Sequence, residues 1–141
     1  MPKIINSFIG HYGFLSNFHM SPVELGHIEY PSSEHAFQAA KTTDIKLRKK
    51  IAQQPTSWEA KYFGRNIKLR EDWEERKIAI MHVILRAKFT QHKDLKQKLL
   101  DTGDAELIEG NIWKDYFWGV CAGRGENNLG KLLMRLRAEL R

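Results

Sequence analysis

The sequence contains a single cysteine and no long apolar run, and each shortage excludes a class of protein. Cys121 cannot form a disulfide within the chain, and it is too little for a cysteine-based zinc site. No apolar stretch approaches the roughly 20 residues that a membrane-spanning helix needs. The first residues, Met-Pro-Lys-Ile-Ile-Asn, lack the apolar core and the cleavage site of a signal peptide. We therefore expect a cytoplasmic protein that does not associate with membranes.

The six histidines are scattered along the chain and form no His-x-x-x-His pair on a predicted helix, which is the spacing of a common zinc site. We therefore expect no metal and no cofactor. The net charge of +6 favours a small phosphorylated partner and also allows a nucleic acid. The basic residues are dispersed, however, and the densest cluster, at residues 46–50, is typical of a solvated helix face.

The length and composition are those of one soluble domain. A chain of 141 residues with 42% hydrophobic and 28% charged residues is large enough for a single core. We find no linker, repeat or shift in composition, and we expect one domain spanning residues 1–141. Short apolar runs predict a strand at residues 3–9, a turn at Gly10 and Gly13, a hairpin at residues 23–30, and further strands at residues 106–110 and 116–121.

Helices should dominate the rest of the chain. Thr56 and Glu59 form a capping box that opens a helix, which Gly64 is placed to end. Asp72 starts the longest predicted helix, with an apolar stripe at Ile78, Met81, Leu85 and Phe89. A shorter helix is predicted over residues 94–100, and a leucine stripe marks the last helix from Leu129 to Leu140. The predicted fold class is α+β: a mainly helical domain with a small β-sheet.

The segment from Tyr30 to Lys41 predicts a short helix made largely of small residues. Pro31 ends the preceding segment, and Ser32 or Ser33 can cap the helix. Helical spacing then places a carboxylate, an amide and an ammonium on one face, at Glu34, Gln38 and Lys41. This combination favours a binding or catalytic site. The alternative is that Glu34 only stabilises a helix N-terminus, where negative charge is favourable.

Motifs along nearly the whole chain resemble those of the NADAR superfamily, which includes the YbiA-type N-glycosidases. They are Gly13-Phe-Leu-Ser-Asn-Phe18, the segment from Tyr30 to Lys41, Ala60-Lys61, Gly64-Arg65, Asp72-Trp73, Ala87-Lys88-Phe89, Leu100-Asp-Thr-Gly103, Leu107-Ile-Glu-Gly-Asn111, Asp115-Tyr-Phe-Trp-Gly119 and residues 125–134. The resemblance implies a YbiA-like fold and hydrolysis of N-glycosidic bonds without a cofactor. It also makes Glu34 the principal candidate for the catalytic carboxylate, with Gln38 and Lys41 as substrate-binding residues.

A second cluster mixes acidic or amide groups with aromatic rings between residues 109 and 119. A pocket for a flat heterocycle attached to a sugar uses both kinds of group. We predict Trp113 and Trp118 as substrate-binding residues. Asp115 is the candidate for a second acid, since paired carboxylates serve glycoside hydrolysis, and its alternative role is to bind ribose hydroxyls. Phe117 is as readily explained by packing in the core.

Two cations four residues apart, Lys61 and Arg65, are candidates to hold a ribose 5′-phosphate or a diphosphate. Their alternative role is that of solvated cations near a helix C-terminus, and the family resemblance favours phosphate. Phe14, Asn17 and Phe18 are predicted to line the mouth of the pocket, although a purely structural loop explains them equally well. Residues 125–128 should turn the chain into the last helix, with Asn127 or Asn128 as its cap and Asn127 also contacting the ligand.

Three functions remain open at this point. The first is an N-glycosidase that acts on the phosphoribosylamino-pyrimidine intermediates of riboflavin biosynthesis, as the resemblance implies. The second, also implied by the resemblance, is removal of ADP-ribose from guanine in DNA or from related nucleobases. The third is a module that binds ADP-ribose or NAD without hydrolysing it. The presence of two acids, Glu34 and Asp115, argues against the binding module, because binding a neutral sugar and an anionic phosphate does not require acidic groups.

Overall fold

Six α-helices and four short strands form the described part of the chain. The structure is a computed structural model that describes residues 3–141. Met1 and Pro2, which the single-domain prediction includes, lie outside the described residues. The α-helices are α1 (Ser33–Ala39), α2 (Ile45–Ala52), α3 (Ser57–Gly64), α4 (Trp73–Gln91), α5 (Lys93–Asp101) and α6 (Asn128–Leu140). The strands are β1 (Ile4–Ile5), β2 (Val23–Leu25), β3 (Ile28–Tyr30) and β4 (Glu106–Leu107).

The chain divides into two compact units, which are described separately. The helical unit is Asn17–Gln91, and the terminal unit combines residues 3–16 with His92–Arg141. The prediction that residues 1–141 form a single domain stays a prediction. Across residues 3–141, every helix is too short or too polar to span a lipid bilayer.

In the helical unit, α1 lies at the centre and contacts α2, α3 and α4. All seven of its residues are buried, and the alanines at 36 and 39 let the neighbouring helices approach. The predicted hairpin is confirmed: β2 pairs antiparallel with β3, with Val23 opposite Tyr30. Its turn places Gly26 and His27 at positive φ, as a tight two-residue hairpin turn requires.

The helix starts in this unit follow the local sequence signals. The hydroxyl of Ser32 accepts from the His35 N–H, so Ser32 is the cap of α1. Thr56 accepts from the Glu59 N–H at 3.1 Å, which confirms the capping box of α3. The predicted apolar stripe of α4 is buried at Met81, Leu85 and Phe89, but Ile78, which the stripe includes, is 44% exposed.

The terminal unit holds the last helix and fewer strand residues than its apolar runs indicate. β1 pairs in parallel with β4, and Leu129, Leu132, Leu133 and Leu136 of α6 are buried as predicted. The predicted strand at residues 3–9 is reduced to Ile4–Ile5, and a 3₁₀ helix, Gly10–Leu15, replaces the expected turn. The predicted strand at 106–110 is shortened to β4. Residues 116–121 form only isolated bridges, Gly110 with Val120 and Cys121 with Arg124.

Candidate active site

Glu34 is a buried carboxylate in the first turn of α1, with only 7% of its surface exposed. Its backbone N–H donates to the carbonyl oxygen of Asn17 at 3.0 Å. Its Oε2 accepts from the Gln38 Nε2 at 3.1 Å, one turn further along the helix. The backbone bond fixes the start of the helix and the side-chain bond orients the carboxylate, so Glu34 is held in one place.

Gln38 is positioned by the close approach of α1 to α3. A carboxylate only accepts hydrogen bonds, so the amide nitrogen of Gln38 faces Glu34 and its Oε1 faces Gly64. A β-carbon at position 64 would collide with the Gln38 Oε1 and would lie 2.8 Å from its Cδ. Glycine at position 64 is therefore what allows the two helices to bring their polar faces together.

Two buried acceptor atoms belong to residues that hydrogen-bond to Glu34. The Oδ1 of Asn17 and the Oε1 of Gln38 have no hydrogen-bond partner among residues 3–141. The Nδ2 of Asn17 lies 3.4 Å from the sulfur of Met81, which is a weak acceptor. A buried acceptor that lacks a partner costs about 1–3 kcal/mol. Such atoms are complementary to the hydroxyl groups of a sugar or to a water molecule.

Lys41 links Glu34 to two further cations. Burial lowers the pKa of Lys41, the nearby Glu34 carboxylate opposes that shift, and the positive charges of Lys61 and Arg65 add to it. Lys41 therefore feels the charges of all three residues. The three cations outnumber the one carboxylate, so this cluster attracts anions. Arg65 keeps helical backbone angles just beyond α3, as its spacing from Lys61 predicts.

Aromatic rings hold Lys61 in place. Its Nζ lies 5.6 Å from the ring centroids of both Phe18 and Trp58. These two rings meet edge to face at 5.8 Å. Sequence reasoning included Phe18 but missed Trp58. The signal that would have found Trp58 is its position three residues before Lys61 on the same helix.

A buried polar network supports the start of α1. The Nε2 of His35 lies 2.8 Å from the Gln54 carbonyl oxygen and must be the donor, since a carbonyl only accepts. The Nδ1 of His35 then accepts from the Ser32 hydroxyl at 2.7 Å. Ser57 is 2.9 Å from both the Ser32 hydroxyl and the Phe18 carbonyl. Burial lowers the pKa of His35, and the bond to Gln54 partly opposes this shift, so the ring is held neutral. Sequence reasoning gave His35 no role.

The predicted site residues are divided between the two units. The helical unit brings together most of them, namely Asn17, Phe18, Glu34, Gln38, Lys41, Lys61 and Arg65. The terminal unit holds Phe14, Trp113, Asp115, Trp118 and Asn127. Phe14 is buried, with the Nζ of Lys98 5.8 Å from its ring, whereas Trp113 is 59% exposed.

Asp115 and Asn127 each organise the loop structure of the terminal unit. The Oδ1 of Asp115 accepts from the N–H groups of Phe117 and Trp118 at 3.2 and 2.9 Å. Asn127 occupies the cap position of α6 at a φ of 54°, but its side chain makes no capping bond. Its amide instead accepts from the Glu109 N–H and donates to the Leu107 carbonyl.

The aromatic residues 117 and 118 lie against each other rather than in the core. Their rings meet edge to face at 4.8 Å, and Phe117 is only half-buried, so the alternative of packing in the core does not explain it. Gly119 approaches the backbone of Glu109, to which Val120 donates at 2.9 Å. The close approach that glycine permits here is therefore one between two backbone segments.

The helical unit also has an open groove of about 680 Å³ along α3. Aromatic side chains at Trp58, Tyr62 and Phe63 line it together with Leu47 and Ile67, and none of the predicted site residues does. The groove has aromatic surface but lacks the Glu34 carboxylate and the three cations. The Glu34 cluster is therefore the candidate for chemistry. Among residues 3–141, no three His, Cys, Asp or Glu side chains are grouped as metal ligands would be.

Comparisons with known proteins agree with the resemblance read from the motifs. The NADAR domain profile matches residues 7–141. The chain is similar to N-glycosidase YbiA of Escherichia coli (strain K12), with 42% identity over 132 residues that cover 92% of this chain and 82% of the relative. It is also similar to Riboflavin biosynthesis protein VVA0006 of Vibrio vulnificus (strain YJ016), with 39% identity over 92% of this chain and 36% of that longer protein.

The fold has a solved counterpart. The NMR structure of the E. coli protein YbiA matches with a TM-score of 0.87 and 40% sequence identity, covering 99% of this chain and 86% of that one. The prediction of a mainly helical α+β fold with few strands is thereby confirmed. The strands form two separate pairs instead of one sheet.

Proposed function

Because this chain belongs to the NADAR family, we propose that it is an N-glycosidase that hydrolyses the phosphoribosylamino-pyrimidine intermediates of riboflavin biosynthesis. The observation that carries the proposal is the buried Glu34 carboxylate, which interacts with Lys41, a lysine that also feels the charges of Lys61 and Arg65. The names of similar proteins, N-glycosidase YbiA and Riboflavin biosynthesis protein VVA0006, support the bond type and the pathway.

The carboxylate supplies the chemistry that breaking a ribosyl C1′–N bond requires. As this bond lengthens, positive charge develops on the sugar, and a nearby carboxylate stabilises it. Water adds to C1′ and loses a proton, and the departing nitrogen gains one. The products are ribose 5-phosphate and the free aminopyrimidine. Glu34 stabilises the charge on the sugar and orients or deprotonates the attacking water.

The neighbours of Glu34 match the remaining parts of such a substrate. Lys61 and Arg65 bind the 5′-phosphate, Arg65 as a planar donor and Lys61 as a point charge. Lys41 adds a third positive charge. The unpartnered Oδ1 of Asn17 and Oε1 of Gln38 accept from ribose hydroxyls or from the attacking water. A sugar phosphate would thus satisfy the charges and the acceptors of one cluster.

Asp115 remains the predicted second acid. Its Oδ1 already accepts from two backbone N–H groups, which gives it a structural task in its loop. An Asp115→Asn variant keeps an oxygen acceptor for these N–H groups and removes the charge. A folded variant with a large loss of kcat would support the catalytic role, whereas unchanged turnover would leave only the structural one.

The decisive experiment compares Glu34→Gln with a matched control. The substitution keeps the shape of the side chain and removes its charge and basicity, so we expect kcat to fall by about 100-fold or more. Glu29→Gln changes an exposed glutamate of β3 and should leave kcat unchanged. Turnover is measured as release of ribose 5-phosphate, and circular dichroism checks folding. Near-normal turnover by folded Glu34→Gln would overturn the assignment.

The substrate class is tested by competition. The pyrimidine intermediate and an ADP-ribosylated guanine oligonucleotide are supplied in equal amounts, and kcat/KM is compared at two salt concentrations. A site that holds one phosphate should show a shallow salt dependence, whereas recognition of DNA weakens steeply with salt. A large preference for the oligonucleotide that shrinks as salt rises would reject the pyrimidine substrate and keep the N-glycosidase. Tight ADP-ribose binding with no turnover of either substrate would identify a binding module.

A further inference from the structure

A second cavity in the helical unit, of about 320 Å³, lies on the opposite face of α1 from Glu34. One wall comes from Ala36 of α1 and from Ala40, the residue just beyond its end, whereas Glu34 and Gln38 lie on the other side of this helix. Residues of α4 form the facing wall, including Ala79 and Ile84. A cavity of this volume is at the lower limit of those that hold small organic molecules.

Three residues with hydrogen-bond donor groups line this cavity from three different elements. Tyr30 lines it from the end of β3, Arg48 from α2 and Arg76 from α4. Arg48 uses its Nε to donate to the Thr42 carbonyl at 2.8 Å. This bond occupies only one of the five donor N–H groups of Arg48. Tyr30 is only 4% exposed, and its phenolic hydroxyl can donate a hydrogen bond.

The charges at the cavity are of one sign. Its lining includes two arginines and no acidic side chain. Burial raises the pKa of Tyr30 and the nearby Arg48 charge partly opposes this shift, so the hydroxyl keeps its proton. Arg76 has a distant pairing with Asp72, whose Oδ2 lies 3.8 Å from its Nε. That distance leaves the Arg76 guanidinium able to donate elsewhere.

The rest of the lining is apolar. Leu25, Ile80, Val83 and Ile84 and the three alanines surround the donors. An inorganic anion would satisfy the arginines but leave this surface uncovered, and a neutral apolar molecule would leave the guanidinium groups and the hydroxyl without an acceptor. A compact apolar body that carries one carboxylate matches both, because guanidinium groups bind carboxylates in a planar arrangement.

We propose that the cavity between α1 and α4 binds a small apolar carboxylate through Tyr30, Arg48 and Arg76. The carboxylate lies at the three donors, and the apolar body packs against the alanines and branched side chains of α1 and α4. This site is separate from the Glu34 cluster and does not rest on the proposed function. Its occupation is therefore measured without any substrate or turnover.

The test titrates the full chain with cyclohexanecarboxylate, followed by NMR chemical shifts and by calorimetry. Two comparison probes separate the parts of the ligand: cyclohexylmethanol has the apolar body without the charge, and inorganic phosphate has the charge without the body. We expect saturable shifts confined to the cavity residues. Both comparison probes should bind at least about tenfold more weakly, since each lacks one set of contacts.

Variants assign the binding to this cavity. Ala79→Leu fills it from an exposed position of α4 and should abolish the saturable shifts. Arg76→Gln removes one donor and should weaken binding by about tenfold. Arg135→Gln is the matched control, because Arg135 is also an exposed arginine paired with a carboxylate four residues away, and it should bind normally. All variants should keep the thermal unfolding midpoint within a few degrees, which excludes misfolding.

Several outcomes would overturn the proposal. Equal affinity for cyclohexylmethanol would show that the charge is not recognised. Equal affinity for phosphate, measured from the shifts of the cavity residues rather than of the Glu34 cluster, would show that the apolar wall is not used. Unchanged binding by Ala79→Leu would place the ligand elsewhere. No saturable shift with cyclohexanecarboxylate at millimolar concentration would exclude the site altogether.

Discussion

Replacing Gly64 by alanine tests whether the contact between α1 and α3 builds the candidate active site. The new β-carbon would collide with the Gln38 Oε1 and lie 2.8 Å from Cδ and 3.0 Å from Cβ of the same residue. Rotating the amide would relieve only the first contact, because the Gln38 Cβ is fixed to the backbone of α1. Overpacking of this kind costs about 1–3 kcal/mol.

The same substitution should reduce activity more than folding alone explains. Gln38 can escape the collision only by leaving Glu34, to which it donates at 3.1 Å. Loss of the orienting bond and displacement of α1 should lower kcat/KM by about tenfold or more, since small misplacements of catalytic groups have large effects on rate. Urea unfolding at constant m-value gives the stability change, and steady-state kinetics gives the change in rate.

A double variant and a control make the reasoning refutable. Adding Gln38→Ala to Gly64→Ala removes the obstructing Oε1 and Cδ atoms but keeps the Cβ at 3.0 Å. Stability should therefore recover in part, by about 1 kcal/mol, while activity stays low. Gly13→Ala should change stability by less than about 0.5 kcal/mol, because no atom lies within 4 Å of a β-carbon at that position. If Gly64→Ala is as stable as the parent, the close contact does not exist. If the double variant recovers nothing, the Oε1 and Cδ atoms of Gln38 are not the source of the lost stability.

Replacing Lys61 or Arg65 by alanine should raise KM for the phosphorylated substrate much more than for its dephosphorylated form, and an equal effect on both would show that they do not bind phosphate. Burial lowers the pKa of Lys88 from 10.5 to about 7, so across this window the unfolded chain binds a proton that the folded chain has released. The free energy of unfolding should therefore rise with pH between these values. Urea titrations at several pH values should show a smaller rise for Lys88→Met, and an equal rise in the parent and the variant would contradict the burial of Lys88. Turnover should survive dialysis against a chelator, and a loss that added zinc or magnesium restores would contradict a metal-free reaction.

Local signals made much of the helical unit predictable. Ser32 caps α1 and the Thr56–Glu59 box starts α3, because a side-chain oxygen near an unpaired N–H acts over only three residues. Helical periodicity likewise placed Glu34, Gln38 and Lys41 on one face. Sequence could not place that face against Lys61 and Arg65, because the approach of the two helices depends on tertiary packing at Gly64.

The features that the sequence did not predict depend on tertiary contacts, which the periodicity of apolar residues does not reveal. Residues 3–9 are apolar enough for a strand, yet Phe8 is buried without one, since strand propensity follows from cross-strand partners. His35 looks like an ordinary helix residue, and its role follows from the Gln54 carbonyl and Ser32 hydroxyl on either side of its ring. Trp58 contacts Lys61 although it is largely exposed, so no apolar pattern marked it.

The shortness of α1 has a consequence for the motions of the protein. A helix of seven residues is too short to be stable alone, so α1 exists only while α2, α3 and α4 enclose it. It cannot fray by itself, since all seven of its residues are buried. The amide of Glu34 should therefore exchange its hydrogen with solvent only when the helical unit opens as a whole. The carboxylate proposed for catalysis thus keeps its place for as long as that unit stays folded.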